Sequence, residues 1–300
     1  MARRRPASVH GLVVVDKPAG VTSHDVVAML RRRLGERRVG HAGTLDPGAT
    51  GVLVIGVGNV TRLLRFVTEG RKRYTGEVVL GIETSTLDAD GEVVAVHDVS
   101  GLADELDADA VRMVIATHLL GDIEQVPPMV SALKVGGRRL HELARAGIEV
   151  ERHARPVTVH RFDVLEVRHD PDGRPVIAVE VECSAGTYVR TLAADLGHLL
   201  GAGAHLRNLR RTAVMPFGID EAASPDEAEL LAPIEAVRAL PMVVVGPDDA
   251  PRIAVGAVLA RPDGAGPWAM VTADGALLAV YEAHGADQAK PAVVLATNAG

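Results

Sequence analysis

Aromatic residues and cysteine are scarce in this chain. Its 300 residues include three tyrosines, three phenylalanines, one tryptophan and a single cysteine, Cys183. One cysteine excludes an internal disulfide and any metal site built from several cysteines. Because Cys183 ends an alternating, strand-like segment, we interpret it as a buried structural thiol. No apolar run approaches the roughly 18 residues needed to cross a bilayer, so we expect a cytoplasmic protein with no membrane partner.

Positive charge is also in short supply overall, because 32 basic residues face 39 acidic ones and the net charge is −7. The distribution is uneven. Residues 1–75 carry fourteen basic and five acidic side chains, whereas the remaining 225 residues carry eighteen and thirty-four. The densest cluster consists of Arg31, Arg32, Arg33, Arg37 and Arg38. Phosphate binding depends on a local basic patch rather than on net charge, so this cluster predicts a nucleic-acid surface; a solvated helix face is the alternative.

The most informative segment is residues 40–51, GHAGTLDPGATG, which places Asp46 in a turn made of small residues. A strand-like run, residues 52–57, follows directly. The glycines let another molecule approach the backbone closely, and Pro47 biases Asp46 towards an extended conformation. This pattern predicts a rigid loop that presents one carboxylate to a large substrate. The alternative is a simple Asp-Pro-Gly turn whose carboxylate bonds only to its own backbone.

Three further segments favour a functional carboxylate over a simple turn: residues 11–23, 72–74 and 183–197. Together with the Asp46 loop they resemble, in order and spacing, the four motifs of the TruB family of bacterial tRNA pseudouridine synthases, which modify uridine 55 of the T-loop. The resemblance implies an α+β fold. Its expected parts are a pseudouridine-synthase catalytic domain, with a central mixed, mainly antiparallel sheet flanked by helices and a thumb insert, and a small β-rich, PUA-like C-terminal domain.

The predicted boundaries follow this resemblance and a change in composition. The catalytic domain is expected over residues 1–240, with the thumb-like insert over about 123–155, and the β-rich domain over 241–300. From residue 241 onwards, short valine-rich segments alternate with Gly, Pro and Asp turns. That region holds three basic and six acidic side chains, which is a poor balance for gripping RNA.

The resemblance assigns the chemistry to Asp46, Tyr74 and Arg190. Asp46 would attack the sugar as a nucleophile or act as a base at the 2′ position, and the sequence does not choose between them. Arg190 would keep the carboxylate ionised and also bind phosphate. Tyr74 would stack on the flipped uracil and remove the proton from C5.

The same resemblance predicts the contacts with RNA. His41 would enter the T-loop in place of the flipped base, and Lys17 would chiefly brace the loop. Tyr188 lies two residues before Arg190, which puts both side chains on one face of an extended segment, and we interpret it as a wall of the pocket. The other predicted substrate-binding residues are Gly43, Thr44 and Leu45 of the loop, Arg31 and Arg33 of the basic cluster, and Lys134 and Arg138 of the thumb. The isomerisation oxidises nothing and takes no group from a second substrate, so no cofactor and no metal are expected. The expected partner is the T-stem-loop of tRNA, bound by a monomer with no protein partner.

Two other functions are compatible with parts of this pattern. One is a non-catalytic tRNA-binding or tRNA-folding protein, and the other is a guide-RNA-dependent synthase resembling dyskerin. The presence of Asp46, Tyr74 and Arg190 together favours an enzyme. The thumb-like insert and the absence of a lysine-rich tail favour the stand-alone bacterial type.

Overall fold

The computed structural model of the chain describes residues 7–103, 106–131, 133–135, 137–140, 143, 146–148 and 150–295. The strands within them are β1 (Gly11–Lys17), β2 (Val39–His41), β3 (Thr50–Val57), β4 (Lys72–Leu80), β5 (Ile82–Thr84), β6 (Val93–Val96), β7 (Gly121–Gln125), β8 (Lys134–Val135), β9 (Arg138–Arg139), β10 (Arg155–His169), β11 (Pro175–Cys183), β12 (Ala204–Val214), β13 (Phe217–Gly218), β14 (Met242–Val244), β15 (Leu259–Ala260), β16 (Trp268–Val271), β17 (Leu277–His284) and β18 (Gln288–Val294). The helices are α1 (Ser23–Leu34), α2 (Leu64–Thr68), α3 (Ser100–Ala103), α4 (Ala108–His118), α5 (Val189–Leu199) and α6 (Asp249–Ala254).

A mixed sheet organises the larger part of the described chain. Its strand order is β1-β3-β12-β4-β11-β10-β7, with β2 added to β3 and β13 added to β12. Only β3 and β12 pair in parallel within this sheet of the described residues, through Thr50 with Arg210 and Gly51 with Arg211. The expected mixed, mainly antiparallel sheet is confirmed. The parallel contact places the start of β3, directly after the Asp46 loop, against the arginines of β12.

Strand β4 lies in the middle of this sheet and alternates as a half-buried strand should. Lys72 and Tyr74 point to the buried side, whereas Arg73 and Thr75 are partly exposed. The alternation predicts a hairpin between residues 73–82 and 91–97, and only its end is formed, where β5 pairs antiparallel with β6 and Ile82 lies opposite Val96. Strand β4 pairs with β11 and β12, and β6 pairs with the short β5 instead, because the chain turns between β4 and β5.

The N-cap of helix α1 lies one residue earlier than the sequence predicts. The sequence favours Ser23 as the N-cap, but the cap is Thr22, whose hydroxyl accepts the amide of Asp25 at 3.1 Å. The Asp25 carboxylate accepts the Thr22 amide in return at 2.8 Å, which completes a capping box. The helix ends at Leu34 with Gly35 as its C-cap, as the sequence predicts. The correction frees the Ser23 side chain for a contact described below.

The thumb-like insert leaves the sheet between two of its neighbouring strands. Strands β7 and β10 pair antiparallel, with Gln125 opposite Arg155, and the intervening chain includes the hairpin of β8 and β9. Parts of this insert lie outside the described residues, including the side chain of Lys134.

The C-terminal region forms a separate five-stranded sheet of order β14-β16-β17-β18-β15, so the expected β-rich domain is confirmed. Ala269 and Val280 of this sheet belong to the same apolar cluster as Val54 of β3. The Arg62 guanidinium donates to the Val294 carbonyl at 2.7 Å. The sheet is therefore joined to the larger one mainly by apolar packing. No helix in the described ranges is long and apolar enough to cross a membrane.

Candidate active site

The loop between β2 and β3 carries Asp46 and is a tight turn. The Ala49 amide donates to the Asp46 carbonyl at 3.2 Å, and the Ala42 amide donates to the Val54 carbonyl at 2.9 Å. Gly51 closes the loop with φ +102°, and a Cβ atom there would lie 2.1 Å from the Arg211 carbonyl oxygen. Only glycine fits such an approach, so the backbone of β12 lies directly against the end of the loop.

Arg211 holds the loop from behind and is one of the largest fully buried side chains. Its Nε donates to the Val52 carbonyl at 2.7 Å, its Nη2 to Gly43 at 3.1 Å and its Nη1 to Thr44 at 3.4 Å. The sequence analysis did not assign it a role. The sequence feature that could have identified Arg211 is the alternation of β12, in which this charged residue occupies a position on the buried face of the strand.

Lys17 supports the other side of the turn. Its Nζ donates to the carbonyls of Pro18, Val21 and Pro47 at 2.9, 2.7 and 3.1 Å. Burial lowers the pKa of Lys17 to about 8, although the Asp46 carboxylate opposes that shift. The side chain is completely buried. Its geometry therefore agrees with the expected brace, and a contact of Lys17 with the substrate stays a prediction.

Ser23 fixes the centre of the loop. Its buried hydroxyl accepts the Leu45 amide at 2.9 Å and donates to the Leu45 carbonyl at 3.1 Å. One side chain thus satisfies both polar backbone groups of the residue before Asp46. Because Ser23 starts α1, the first turn of this helix and the loop form one unit.

Asp46 pairs with Arg190, which lies in the first turn of α5. The Arg190 Nε atom is 3.1 Å from Oδ2 of Asp46, and the two side chains are 4% and 37% exposed. The remaining guanidinium nitrogens face the Thr86 carbonyl at 2.6 Å, the Val130 carbonyl at 2.8 Å and Asp88 Oδ2 at 3.5 Å. Arg190 therefore connects its own helix, the turn at residues 86–88 and the chain at Val130 to the Asp46 carboxylate. Its burial gives no support to the predicted phosphate contact.

The pKa of the Asp46 carboxyl is raised above its ordinary value, chiefly by burial. Arg190 gives the largest opposing effect, and the nearby carboxylates of Asp88 and Asp90 add to the rise. Asp88 lies in the segment between β5 and β6. Its Oδ1 accepts the Asp90 amide at 3.1 Å, as in a turn. The other carboxylate oxygen of Asp88, Oδ2, faces Arg190. The sequence analysis missed that contact.

A pocket of about 260 Å³ opens beside the ion pair, slightly below the range of about 300–1,000 Å³ common for ligand sites. Tyr74 and Tyr188 both line it, and so do Gly43, Thr44 and Leu45 of the loop. The residues completing the lining are Asp46, Thr68, Lys72, Ser131, Ala185, Gly186, Thr187, Val189, Arg190, Leu209 and Arg211. Burial raises the pKa of the Tyr74 hydroxyl, which favours its neutral form. The structure therefore brings the three predicted catalytic residues together.

Tyr188 enters the pocket in a different way from the one predicted. The sequence places Tyr188 and Arg190 on one face of an extended segment, but α5 begins at Val189 and Tyr188 is its N-cap. The Gln125 side-chain amide fixes this position, donating to the Tyr188 carbonyl at 3.0 Å and accepting its amide at 2.7 Å. Gln125 carries no motif signal and was missed.

Two other ionisable groups lie close to the pocket. Cys183 is fully buried, and burial raises the pKa of its thiol to about 11, so the interpretation as a structural thiol is confirmed. Lys72 is 6% exposed, and its Nζ donates to the carbonyls of Thr68 and Gly70 at 2.7 and 2.8 Å. Among the described residues, no group of three or more His, Cys, Asp or Glu is arranged to hold a metal ion.

The remaining predicted contact residues lie outside this pocket. The His41 ring packs edge-on against that of His24, with centroids 5.4 Å apart. The exposed Arg31 donates to the Val39 carbonyl at 3.0 Å, and Arg33 donates to backbone carbonyls of residues 225 and 228. Arg138 is exposed in the thumb hairpin. The two cluster arginines thus have structural partners, and the predicted phosphate contacts of these residues stay predictions.

Two protein-family models match the segments that contribute most of the residues of this site. Residues 31–189 match the model described as "TruB family pseudouridylate synthase (N terminal domain)". Residues 190–237 match the model described as "tRNA pseudouridylate synthase B C-terminal domain". The loop, Tyr74 and Arg190 all fall within these segments, whereas the C-terminal sheet lies beyond them.

Individual proteins are similar over nearly the whole length. A tRNA pseudouridine synthase B from Arthrobacter sp. (strain FB24) is 46% identical, with 95% of this chain and 96% of the relative covered. Another of that name, from Symbiobacterium thermophilum, is 49% identical over 82% of each chain. Among solved structures, a chain from the "Crystal Structure of a Cbf5-Nop10-Gar1 Complex" aligns with a TM-score of 0.68 and 28% identity, covering 91% of this chain and 78% of that one.

Proposed function

The chain belongs to the TruB family of pseudouridylate synthases, and we propose that it isomerises uridine 55 in the T-loop of tRNA to pseudouridine. The observation that carries the proposal is the Asp46–Arg190 ion pair at the mouth of a pocket that Tyr74 and Tyr188 also line. The relatives named tRNA pseudouridine synthase B support tRNA as the substrate. A tRNA substrate agrees with a cytoplasmic protein, and we propose that the protein binds tRNA as a monomer.

The proposed reaction breaks the bond between N1 of uracil and C1′ of the ribose, rotates the base and joins C5 to C1′. The C5 proton leaves and N1 gains a proton, so no atom or electron comes from a second reactant. The target base must leave its stack before a carboxylate can reach the sugar. The loop supports such an encounter because its small residues leave Asp46 partly exposed while the braces hold its backbone.

Asp46 is proposed to act in its ionised form, as a nucleophile at C1′ or as a base at the 2′ position. Both roles fail when the carboxyl is protonated. Burial favours protonation, whereas the guanidinium of Arg190 favours the charged form. We therefore assign Arg190 the role of keeping Asp46 ionised and of holding its orientation.

Tyr74 is proposed to stack on the flipped uracil, and its hydroxyl to take part in removing the C5 proton. The buried ring lines the pocket, which suits stacking. The raised pKa of Tyr74 means that its hydroxyl carries a proton in the free protein, so stacking is the better supported role. We propose Tyr188 as a further wall of the pocket.

The position of modification tests this function. Purified protein is incubated with a tRNA transcript and with a transcript in which cytidine replaces uridine 55, and pseudouridine is mapped by carbodiimide labelling and primer extension. We expect one new stop, at position 55, in the first transcript and none in the second. A stop elsewhere would contradict the site specificity. Tight binding of the transcript without any stop would identify a non-catalytic tRNA-binding protein.

A further inference from the structure

Lys72 is a buried cation at the pocket that has no part in the reaction steps assigned to Asp46, Tyr74 and Arg190. It lies on β4 two residues before Tyr74, and the alternation of the strand puts both side chains on its buried side. Both side chains line the pocket. Taking a cation out of water is costly, and an apolar side chain would serve the core of a strand better. The position of Lys72 therefore calls for a function.

Two backbone carbonyls hold the Lys72 ammonium. Its Nζ donates to the Thr68 carbonyl at 2.7 Å and to the Gly70 carbonyl at 2.8 Å, which ties the end of α2 to the start of β4. A lysine ammonium carries three N–H donors. Within the described residues these two contacts are its hydrogen bonds, so one donor remains for a molecule in the pocket.

The far end of the Lys72 side chain lies beside the loop that carries Asp46. A Cβ atom built on Gly43 would be 3.8 Å from Lys72 Cε and 3.7 Å from Arg211 Nη1. Arg211 also lies opposite Tyr74 in the pairing of β12 with β4. The two cations thus flank the same part of the pocket, three residues along the chain from the reacting carboxylate.

The pocket lining carries more positive than negative charge. Its cations are Lys72, Arg190 and Arg211, whereas Asp46 is its one carboxylate among the described residues. Arg190 pairs with Asp46. In the part of the chain that the structure describes, no carboxylate forms an ion pair with Lys72 or Arg211. Buried cations without a carboxylate partner favour a negative charge in the space that they face.

The proposed reaction creates such a negative charge on the base. When the bond between N1 and C1′ breaks, its electron pair stays with uracil, whether Asp46 attacks C1′ or removes the 2′ proton. The charge spreads from N1 to the oxygens O2 and O4. It is used when C5 forms its bond to C1′, after which C5 loses its proton and N1 gains one. A cation that interacts more strongly with this anion than with neutral uracil lowers the barrier.

We propose that the Lys72 ammonium donates a hydrogen bond to a carbonyl oxygen of the uracil anion and stabilises it while the base is detached from the ribose. This inference rests on the proposed function for the identity of the base. Burial chiefly, and then the charge of Arg211, lowers the pKa of Lys72 to about 8. The ammonium therefore prevails at neutral pH and is lost as the pH rises through about 8.

A neutral variant tests the contribution of the charge. Lys72→Met keeps an unbranched side chain, and we expect its single-turnover rate on a saturating T-stem-loop to fall about a hundredfold, as when one oxyanion donor is removed. RNA affinity should stay nearly unchanged. Urea unfolding gives the folded fraction by which each rate is corrected. The control Lys290→Met, at an exposed position of β18, should keep the full rate. A corrected rate of Lys72→Met close to that of the wild type would overturn the proposal.

The pH profile separates the charge of Lys72 from its bracing of the backbone. Single-turnover rates are measured between about pH 7 and pH 9 for the wild type and for Lys72→Arg, because arginine stays charged over this range. We expect the wild-type rate to fall as the pH rises through about 8. Lys72→Arg, whatever its rate at neutral pH, should show no such fall.

The groups that face Lys72 do not account for a fall near pH 8. Arg211 on β12 stays charged. Cys183 lies opposite Lys72 on β11, and burial raises the pKa of its thiol to about 11. Burial also raises the pKa of Tyr74. Lys17, behind the loop, has a pKa of about 8 as well, so a fall that persists in Lys72→Arg would belong to Lys17 and overturn the proposal.

Pseudouridine formation by the wild type separates the two levels of inference. If the wild type forms none on the T-stem-loop, the proposed reaction is refuted and the role of Lys72 with it. If the wild type forms pseudouridine and Lys72→Met does so equally fast, the proposed reaction stands and the role of Lys72 alone is refuted.

Discussion

The Asp46 loop and the C-terminal sheet are both rich in small residues and turns, but the balance of polar and apolar contacts that hold them differs. The loop is fixed by polar side chains from distant segments: Arg211, Lys17 and Ser23 each bond to its backbone. The C-terminal sheet is attached mainly by apolar packing, with Ala269 and Val280 in a shared core cluster, and in addition by the Arg62–Val294 hydrogen bond and the Arg65–Glu282 ion pair.

This difference follows from what each region must expose. The loop presents its carboxylate to the pocket while Leu45 and Ala49 are buried in the core, and buried cations behind it satisfy its backbone carbonyls. The C-terminal sheet contributes no residue to the pocket lining within the described residues. The polar contacts of the loop therefore indicate that it presents a functional group, whereas the apolar contacts of the C-terminal sheet indicate only that it is attached to the larger sheet.

The largest effect should come from the loop itself. We expect Asp46→Asn to reduce pseudouridine formation at least a thousandfold, about 4 kcal/mol of activation barrier, because the amide is similar in shape but neither nucleophile nor base. RNA affinity and folding should be nearly unchanged. The matched control, Asp287→Asn in the exposed turn between β17 and β18, should keep full activity. Rates from single-turnover assays check both, and a loss below tenfold in Asp46→Asn would point to another acid.

Removing the buried support should cost stability as well as activity. Arg211→Met leaves carbonyls of the loop without donors, and we expect the free energy of unfolding to fall by about 3 kcal/mol. Met270→Ala in the C-terminal sheet should cost about 2–5 kcal/mol by opening a cavity. Urea unfolding measures both. Only Arg211→Met should lower the activity per folded molecule; equal activities would break the contrast between the two regions.

Tyr74 separates stacking from the chemistry of its hydroxyl. Tyr74→Phe keeps the ring, so its RNA affinity should match that of the wild type. Tyr74→Ala loses the ring, and we expect its binding to weaken by about 1–3 kcal/mol. Equilibrium binding to a T-stem-loop checks this. Equal affinities of the two variants would remove the stacking role.

Removing the positive charge of Arg190 and removing the negative charge of Asp88 should shift the pH dependence of activity in opposite directions. The reaction needs the ionised carboxylate, so activity falls as pH decreases through the raised pKa of Asp46. Arg190→Gln removes the cation that opposes protonation, which moves this acid limb to higher pH. Asp88→Asn removes a neighbouring negative charge, which moves it to lower pH. Single-turnover rates across pH measure the limb, and shifts in the same direction would contradict the electrostatic assignment.

The smallest effect should come from the RNA beyond the T-arm. Because the C-terminal region is acidic and the basic surface lies near α1 and β2, a T-stem-loop should bind nearly as well as whole tRNA, within about 1 kcal/mol. Competition binding of the two RNAs measures the difference. A strong dependence on the acceptor end would give the C-terminal sheet a role in binding that its attachment does not suggest.

The sequence predicted the motif residues better than the contacts that hold them. Asp46 and Tyr74 stand in recognisable patterns, and strands such as β1 and β3 follow from their valines. Arg211 and Gln125 were missed because they bond to backbone groups, and a backbone carbonyl leaves no mark in the sequence of the residue that binds it. The same reason explains Ser23, which looked like a helix cap. Which side chain meets which carbonyl depends on the parallel contact of β3 with β12, a pairing between segments far apart in the chain.

Release of tritium from C5 tests the central claim most directly, since C5 loses its hydrogen only when it joins the sugar. The wild-type protein and Asp46→Asn are each incubated with a T-stem-loop whose uridines carry tritium at C5. The account predicts that the wild type releases one tritium per RNA molecule, that replacing the target uridine abolishes the release, and that Asp46→Asn binds the RNA but releases almost none. Tight binding by the wild type with no release, or equal release by Asp46→Asn, would contradict it.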